Sequence, residues 1–331
     1  MRKDAALIAW TQPACFVVAL KQLMGLKNQV RSWLRPVFAG LNRFAVKARI
    51  VPEYDGGNAF LRHVPPGHFY SPVPGDADVA RREPTDAAPA DIDLNADGQR
   101  QLLEQLSQYY GELPFAQARR EGVRYSFDNI FYCHGDAIYL YGLMRHFRPK
   151  RLVEVGSGYS SAVALDTSEQ FLSGAVDFVF IEPFPDRLRL LLKPSDAGRC
   201  RLIEKPVQEA PMEVFDALEE NDILLIDSSH VCKVGSDVNH LLFHVLPRLR
   251  RGVLVHIHDI FYPFEYPKEW FQEGRAWNEA YAVRAFLQNN DAYRVLLFAS
   301  YAGEHLRSVL EARMPLCLKN TGASLWLRKT K

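Results

Sequence analysis

The chain has 331 residues, of which 48% are hydrophobic, 24% charged and 12% aromatic. That is enough for about two domains or one enlarged domain, and the mix excludes wholesale disorder, collagen and a multi-span membrane protein. A formal net charge of +1 excludes the global basic excess of nucleic-acid binders, so no nucleic acid is expected as a partner. The sum conceals two unequal parts: residues 1–52 carry nine Lys or Arg against one acid, Asp4, and the remainder carries 31 against 38. The five cysteines, Cys15, Cys133, Cys200, Cys232 and Cys317, form no CxxC pair. Neither a disulfide framework nor a thiolate zinc site is indicated, and a reducing cytoplasm is expected.

Near the start, residues 5–20 form an apolar stretch that Trp10, Gln12 and Pro13 interrupt, so it reads neither as a signal peptide nor as a membrane span. From Leu23, the positions Leu26, Val30, Trp33 and Val37 fall at helical spacing, while Lys27, Arg31 and Arg35 repeat on another face. Two readings of this basic amphipathic helix stay open. One is peripheral contact with the anionic inner face of a membrane; the other is packing on the protein's own core or on a second copy in a homo-oligomer. Residues 63–74 are rich in proline and aromatics, as a lid would be, and residues 71–99 hold four prolines and seven acids, as a linker would. Helical periodicity returns over 99–117 and 136–146. The expected organisation is a basic helical extension (1–52), an aromatic segment with linker and helix (53–123) and a main domain (124–331).

After Pro149 short apolar runs at 152–155, 178–181, 201–203, 223–226, 253–257, 294–298 and 324–327 read as strands. Helical stretches at 160–171, 186–192, 212–218, 237–249 and 278–287 alternate with them. This is the pattern of an α/β, doubly wound, mostly parallel sheet, in which ligands bind beyond the carboxyl ends of the strands.

The first strand runs into Glu154-Val-Gly-Ser-Gly-Tyr-Ser-Ser161. Gly156 and Gly158 permit a tight turn and close approach of a ligand, yet Ser161 stands where a dinucleotide fingerprint has its third glycine. An acid, Glu154, precedes the turn. A pyrophosphate gains nothing from a carboxylate there, whereas the sulfonium and ammonium of S-adenosylmethionine do. Glu182 ends the second strand, where a carboxylate accepts from both hydroxyls of a ribose. After the third strand, Val207 and Gln208 are candidates to flank an adenine.

These features, with Ile226-Asp-Ser-Ser-His230 and His256-Ile-His-Asp-Ile-Phe261 further on, resemble class I S-adenosylmethionine-dependent methyltransferases, especially the family-24 type related to sugar and macrolide O-methyltransferases. The resemblance covers roughly residues 124–328, includes Asn129, Tyr132 and Asp136 ahead of the first strand, and omits residues 1 to about 60. It implies a Rossmann-like fold with an N-terminal helical extension. It also implies a cofactor site of Glu154, Gly156, Ser157, Gly158, Ser161, Glu182, Gln208 and Asp227. The expected reaction is methylation of an oxygen on a small-molecule or saccharide-like acceptor. The alternatives are an NAD-dependent oxidoreductase, disfavoured by Glu154 and the missing glycine, and a non-catalytic, membrane-associated binding protein on the same fold.

Methyl transfer to oxygen needs the hydroxyl proton removed, by a base or beside a metal. Asp227, His230, His258 and Asp259 follow two strands expected to be neighbours, so they are the candidate catalytic set, with His230 as general base. Strand alternation puts His256 and His258 on one face, with His256 as scaffold. Asp227 and Asp259 stand where metal-dependent O-methyltransferases carry acidic ligands, which would hold a Mg²⁺-like ion against two substrate hydroxyls. Against this, Ile260 follows Asp259 where the caffeoyl-CoA-type pattern has an amide. Tyr262, Trp270 and Trp277, in an aromatic and acidic loop, are the expected substrate wall, with Tyr70 as part of a cover.

Overall fold

The computed structural model describes Val64 and residues 67–82 and 89–331. The expected amphipathic helix of residues 23–37, and with it any membrane or subunit contact through residues 1–52, lies outside the described residues. The chain divides into two units, residues 1–77 and 78–331. In the first, Phe69 and Tyr70 are exposed, with ring centroids 4.3 Å apart.

The second unit carries one seven-stranded sheet. Its strands are β1 (Arg151–Val155), β2 (Asp177–Ile181), β3 (Cys200–Ile203), β4 (Ile223–Ile226), β5 (Leu254–Ile257), β6 (Tyr293–Phe298) and β7 (Leu325–Lys329). They lie in the order β3-β2-β1-β4-β5-β7-β6. Strands β1 to β5 are mutually parallel, and β7 runs antiparallel between β5 and β6. The expected doubly wound, mostly parallel sheet is present. The order reverses between β1 and β4, so the crevice at their carboxyl ends is where a ligand belongs.

The sheet forms because the central strands bury both faces. In β1, Leu152 joins one apolar layer, while Val153 and Val155 join the other. The first layer comes from α1 (Ala96–Leu106), α2 (His134–Phe147) and α3 (Tyr159–Phe171), through residues such as Leu103, Leu140, Met144 and Leu165. The second includes Val238, Leu241, Val283 and Leu287. At 25 cal/mol per Å² of apolar surface, each such buried side chain contributes about 1.5–3 kcal/mol. The predicted continuous helix over 237–249 is instead α4 (Asp237–His240) running into a π turn at Leu241–Val245 and a 3-10 turn at Leu246–Arg248. Pro247 is the physical reason: it lacks the N–H for the helical ladder, and its ring crowds the carbonyl four residues before. Two helices that the sequence reading passed over, α6 (Ala299–His305) and α7 (Arg307–Arg313), follow α5 (Glu279–Leu287) and join β6 to β7.

The segment ahead of β1 is tied to the sheet by polar anchors. Asn129 Oδ1 accepts the N–H groups of Phe131 and Tyr132, and Asp136 accepts Ala323 N–H just before β7. The buried Arg124 guanidinium reaches Asp166 at 2.7 Å and Asp196 at 2.6 Å.

Candidate active site

Gly156 fixes the crevice. Its φ of 79° suits glycine, and a Cβ there would lie 1.8 Å from Asp227 O. Only hydrogen allows the β1 loop to meet the end of β4, where Asp227 N–H donates to Val155 O at 2.8 Å. The following turn is pinned from beneath. Ser160 and Ser161 hydroxyls, in the first turn of α3, both donate to Glu154, and Ser161 Oγ accepts Gly158 N–H at 3.0 Å. Glu154 is fully buried, and burial raises its pKa to about 8 against the two serine hydroxyls that hold it down. Expected as a carboxylate facing the cofactor, it instead supports the loop under α3.

Beyond β1 to β4 opens a cleft of about 480 Å³, lined among others by Gly156, Glu182, Phe184, Val207, Gln208, Asp227 and Ser228. Such a volume suits a nucleoside-sized ligand. Four of the expected cofactor residues, Gly156, Glu182, Gln208 and Asp227, meet there, whereas Glu154, Ser157, Gly158 and Ser161 are not part of its lining. Glu182 Oε2 accepts Ser157 N–H at 3.1 Å and Oε1 accepts Phe184 N–H at 2.8 Å. Each oxygen keeps a lone pair directed elsewhere, which is what two vicinal hydroxyls require. Gln208 bridges the cleft walls by donating to Gly235 O at 2.7 Å. Three carboxylates, Glu182, Asp227 and Asp237, against the one lysine of the lining, Lys233, and no phosphate-binding fingerprint favour a cation over a pyrophosphate in the cleft.

Next to the cleft, at the ends of β4 and β5, the expected catalytic residues converge. His230 is 5% exposed and has a φ of 60°. Its Nδ1 lies 2.9 Å from Glu279 Oε2, and its Nε2 lies 3.4 Å from Asp227 Oδ1 and 3.7 Å from Asp259 Oδ2. The backbone holds the same arrangement, since Asn278 N–H and Glu279 N–H both donate to His230 O, at 3.1 and 3.2 Å. Burial alone would lower the His230 pKa, yet Asp227 and Glu279 push it up to about 10. Burial raises Glu279, while His258 and His230 hold the half-buried Asp227 below its usual range despite the desolvation it suffers. In the free protein an imidazolium therefore sits in a carboxylate cage.

His258 Nε2 is 3.7 Å from Asp259 Oδ1, and its ring stacks on that of His256 at 5.5 Å, on one face as alternation requires. His256 is fully buried against Trp326 at 4.7 Å, and burial holds it neutral. Glu279 is the site residue that the sequence reading missed. It opens α5 at 2% exposure, and an acid in a first helical turn reads as an ordinary response to the helix dipole.

Among the described residues no group of three or more His, Cys, Asp or Glu is arranged to hold a metal ion. Asp227 and Asp259, the two acids expected as metal ligands, both face His230 Nε2, at 3.4 and 3.7 Å.

Of the three aromatics expected as a substrate wall, Trp270 and Trp277 lie together. Trp277 lies 4.4 Å from the His230 ring, and Trp270 meets Trp277 edge-on at 5.1 Å. Tyr262, expected beside them, is a core residue instead, 9% exposed and packed edge-on against Phe298 and Tyr301. Tyr70, expected as part of a cover, belongs to the other unit.

Residues 153–260 match the methyltransferase-domain family numbered 24. An uncharacterized protein of Archaeoglobus fulgidus is 35% identical over 168 residues, which are 48% of this chain and 75% of that protein. Among solved structures, a Podospora anserina methyltransferase bound to S-adenosylhomocysteine aligns over 71% of this chain and 88% of its own, at 15% identity and a TM-score of 0.39. The O-methyltransferase of tomaymycin synthesis from Streptomyces achromogenes, solved with S-adenosylmethionine, aligns over 70% and 90%, at 15% identity and a TM-score of 0.37. Strand order, the β1 loop and the family match lead to one conclusion: the chain carries a class I S-adenosylmethionine-dependent methyltransferase domain of the family-24 type.

Proposed function

We propose that the protein methylates an oxygen of a small, hydroxylated, saccharide-like acceptor. The observation that carries this reading is the His230 cage, built against the same Asp227 that lines the cofactor cleft. When bound, S-adenosylmethionine supplies an electrophilic methyl group on a sulfonium. Glu182 is the residue to take the ribose hydroxyls, Val207 and Gln208 the adenine, and Asp227 the positive charge.

Asp227 faces two ways. In the free protein it helps keep His230 protonated, and an imidazolium of pKa about 10 cannot accept a proton at neutral pH. Sharing the Asp227 charge with a cation in the cleft weakens that hold and lowers the His230 pKa toward working range. Nε2 is then the atom that receives the acceptor's hydroxyl proton, while Glu279 keeps Nδ1 oriented. Catalysis is otherwise positioning, with Trp277 as one wall of the acceptor space. No step runs through a metal.

Calorimetry with S-adenosylhomocysteine tests the cofactor half. Wild type should bind, and Glu182→Ala should bind about 10- to 100-fold more weakly, the loss of one charge-assisted contact of about 1.5–3 kcal/mol. Equal affinity of the two proteins would remove Glu182 from the site, and no binding by wild type would end the proposal.

A further inference from the structure

The loop between Trp270 and Glu279 carries a cation that the reaction above does not use. Arg275 sits with its guanidinium carbon 4.3 Å from the Trp270 ring centre and 4.9 Å from that of Trp277. The two indoles stand at 83° to one another, so they form a corner around the guanidinium. The corner is built into the backbone: Gly274 adopts a φ of 91°, and Arg275 N–H donates to Trp270 O at 3.0 Å. At its far end the loop is fixed by the bonds of Asn278 and Glu279 N–H to His230 O. One indole, that of Trp277, therefore touches both the His230 ring and the guanidinium.

Most of the guanidinium's hydrogen-bonding capacity remains available. Nε and Nη2 both approach a single oxygen of Glu273, at 3.1 and 3.0 Å. That pair is exposed, with Glu273 at 56%, and such pairs hold weakly in water. The Nη1 edge makes no hydrogen bond to a described residue. A planar donor edge, held rigid by aromatic faces one ring away from a proton acceptor, is suited to a carboxylate. The surrounding charges sharpen the choice, because Asp227, Asp259 and Glu279 would repel an anion placed at the His230 end. An acceptor with its hydroxyl at His230 and its negative group at Arg275 satisfies both ends.

We infer that the acceptor is a ring-bearing hydroxy acid whose carboxylate is bound by Arg275 while its hydroxyl is directed to His230. The inference rests on the methyltransferase reading and narrows its substrate class. It makes Arg275 a specificity residue: the indoles hold the guanidinium in place, and the guanidinium selects against neutral analogues.

The test uses the full chain saturated with S-adenosylhomocysteine, read by tryptophan fluorescence because Trp270 and Trp277 line the corner. Two matched pairs serve as probes: 3,4-dihydroxybenzoate against 3,4-dihydroxybenzamide, and glucuronate against glucose. The expected result is that the acid of at least one pair binds about tenfold or more tightly than its neutral partner. Arg275→Gln should abolish that preference, and Arg275→Lys should restore part of it, with S-adenosylhomocysteine affinity unchanged in both. Arg275 is exposed enough that neither change should disturb folding, which circular dichroism checks. Equal binding of acid and neutral probes, no saturable binding of either acid, or an acid preference that survives Arg275→Gln would overturn the inference while leaving the methyltransferase reading intact. Failure of wild type to bind S-adenosylhomocysteine would strike the methyltransferase reading itself, and the inference with it.

Discussion

Replacing Glu279 by Gln removes one charge 2.9 Å from His230 Nδ1 and keeps the side-chain shape. A hydrogen bond to a charged partner contributes about 1.5–3 kcal/mol, and one pKa unit corresponds to about 1.4 kcal/mol. The His230 pKa, held at about 10, should therefore fall by roughly one to two units in the variant. The sign for stability follows from the same shift. A histidine whose folded pKa is raised contributes stability fully present below its unfolded value, near 6.5, and lost as pH rises through its folded value. Wild type should lose stability progressively between about pH 6.5 and 10, and Glu279→Gln should be less stable at pH 7 with a shallower decline. Histidine-labelled NMR of the cofactor-free protein reads the His230 titration directly, and urea denaturation across pH reads its consequence. A His230 resonance titrating near 6.5 in wild type, or unmoved by Glu279→Gln, would refute the carboxylate-cage argument.

Other outcomes follow from the same geometry. Gly156→Ala puts a Cβ 1.8 Å from Asp227 O at a φ of 79°; it should cost about 3 kcal/mol or more in urea denaturation and abolish S-adenosylhomocysteine binding. Glu154 has its pKa raised to about 8 by burial, so the stability it contributes is fully present below its unfolded value and lost as pH rises through 8. Because that loss begins at the unfolded value near 4.5, Glu154→Gln should be close to neutral at about pH 4.5, already more stable than wild type by about 2 kcal/mol at pH 6 and more so at pH 9, which denaturation across that range decides.

Much of the fold is legible because each strand is a short apolar run bounded by turn residues. The run Ile223–Ile226 is flanked by Asn221 and Asp227, and its bounds match those read from the sequence. The helix after β4 is less legible, since apolar periodicity continues through Pro247 and hides the π and 3-10 turns. The cofactor side of the site is readable for a topological reason: parallel strands bring their carboxyl ends together, so Gly156, Glu182, Gln208 and Asp227 meet whatever the intervening helices do. Side-chain direction is not carried by position in the same way. Glu154 and Glu182 both precede or follow a strand end as acids, yet one is buried under two serines and the other lines the cleft. Glu279 escaped because its partner is set by tertiary contact, across 49 residues to His230, whereas Arg275 packs on its own sequence neighbours, Trp270 and Trp277, and only the fold shows that Trp277 also meets His230. Tyr262 shows the converse, an aromatic in a loop sequence that turns inward to Phe298.

The central claim, methyl transfer to oxygen with His230 as proton acceptor, is most directly tested by transfer of labelled methyl from S-adenosylmethionine to hydroxylated ring acids, comparing wild type with His230→Ala. The account predicts an alkali-stable methyl ether from wild type and a rate lower by about 10²- to 10⁴-fold in the variant, the usual range for a lost general base. S-adenosylhomocysteine affinity should change little. No labelled product from wild type, or an undiminished rate in His230→Ala, would contradict it.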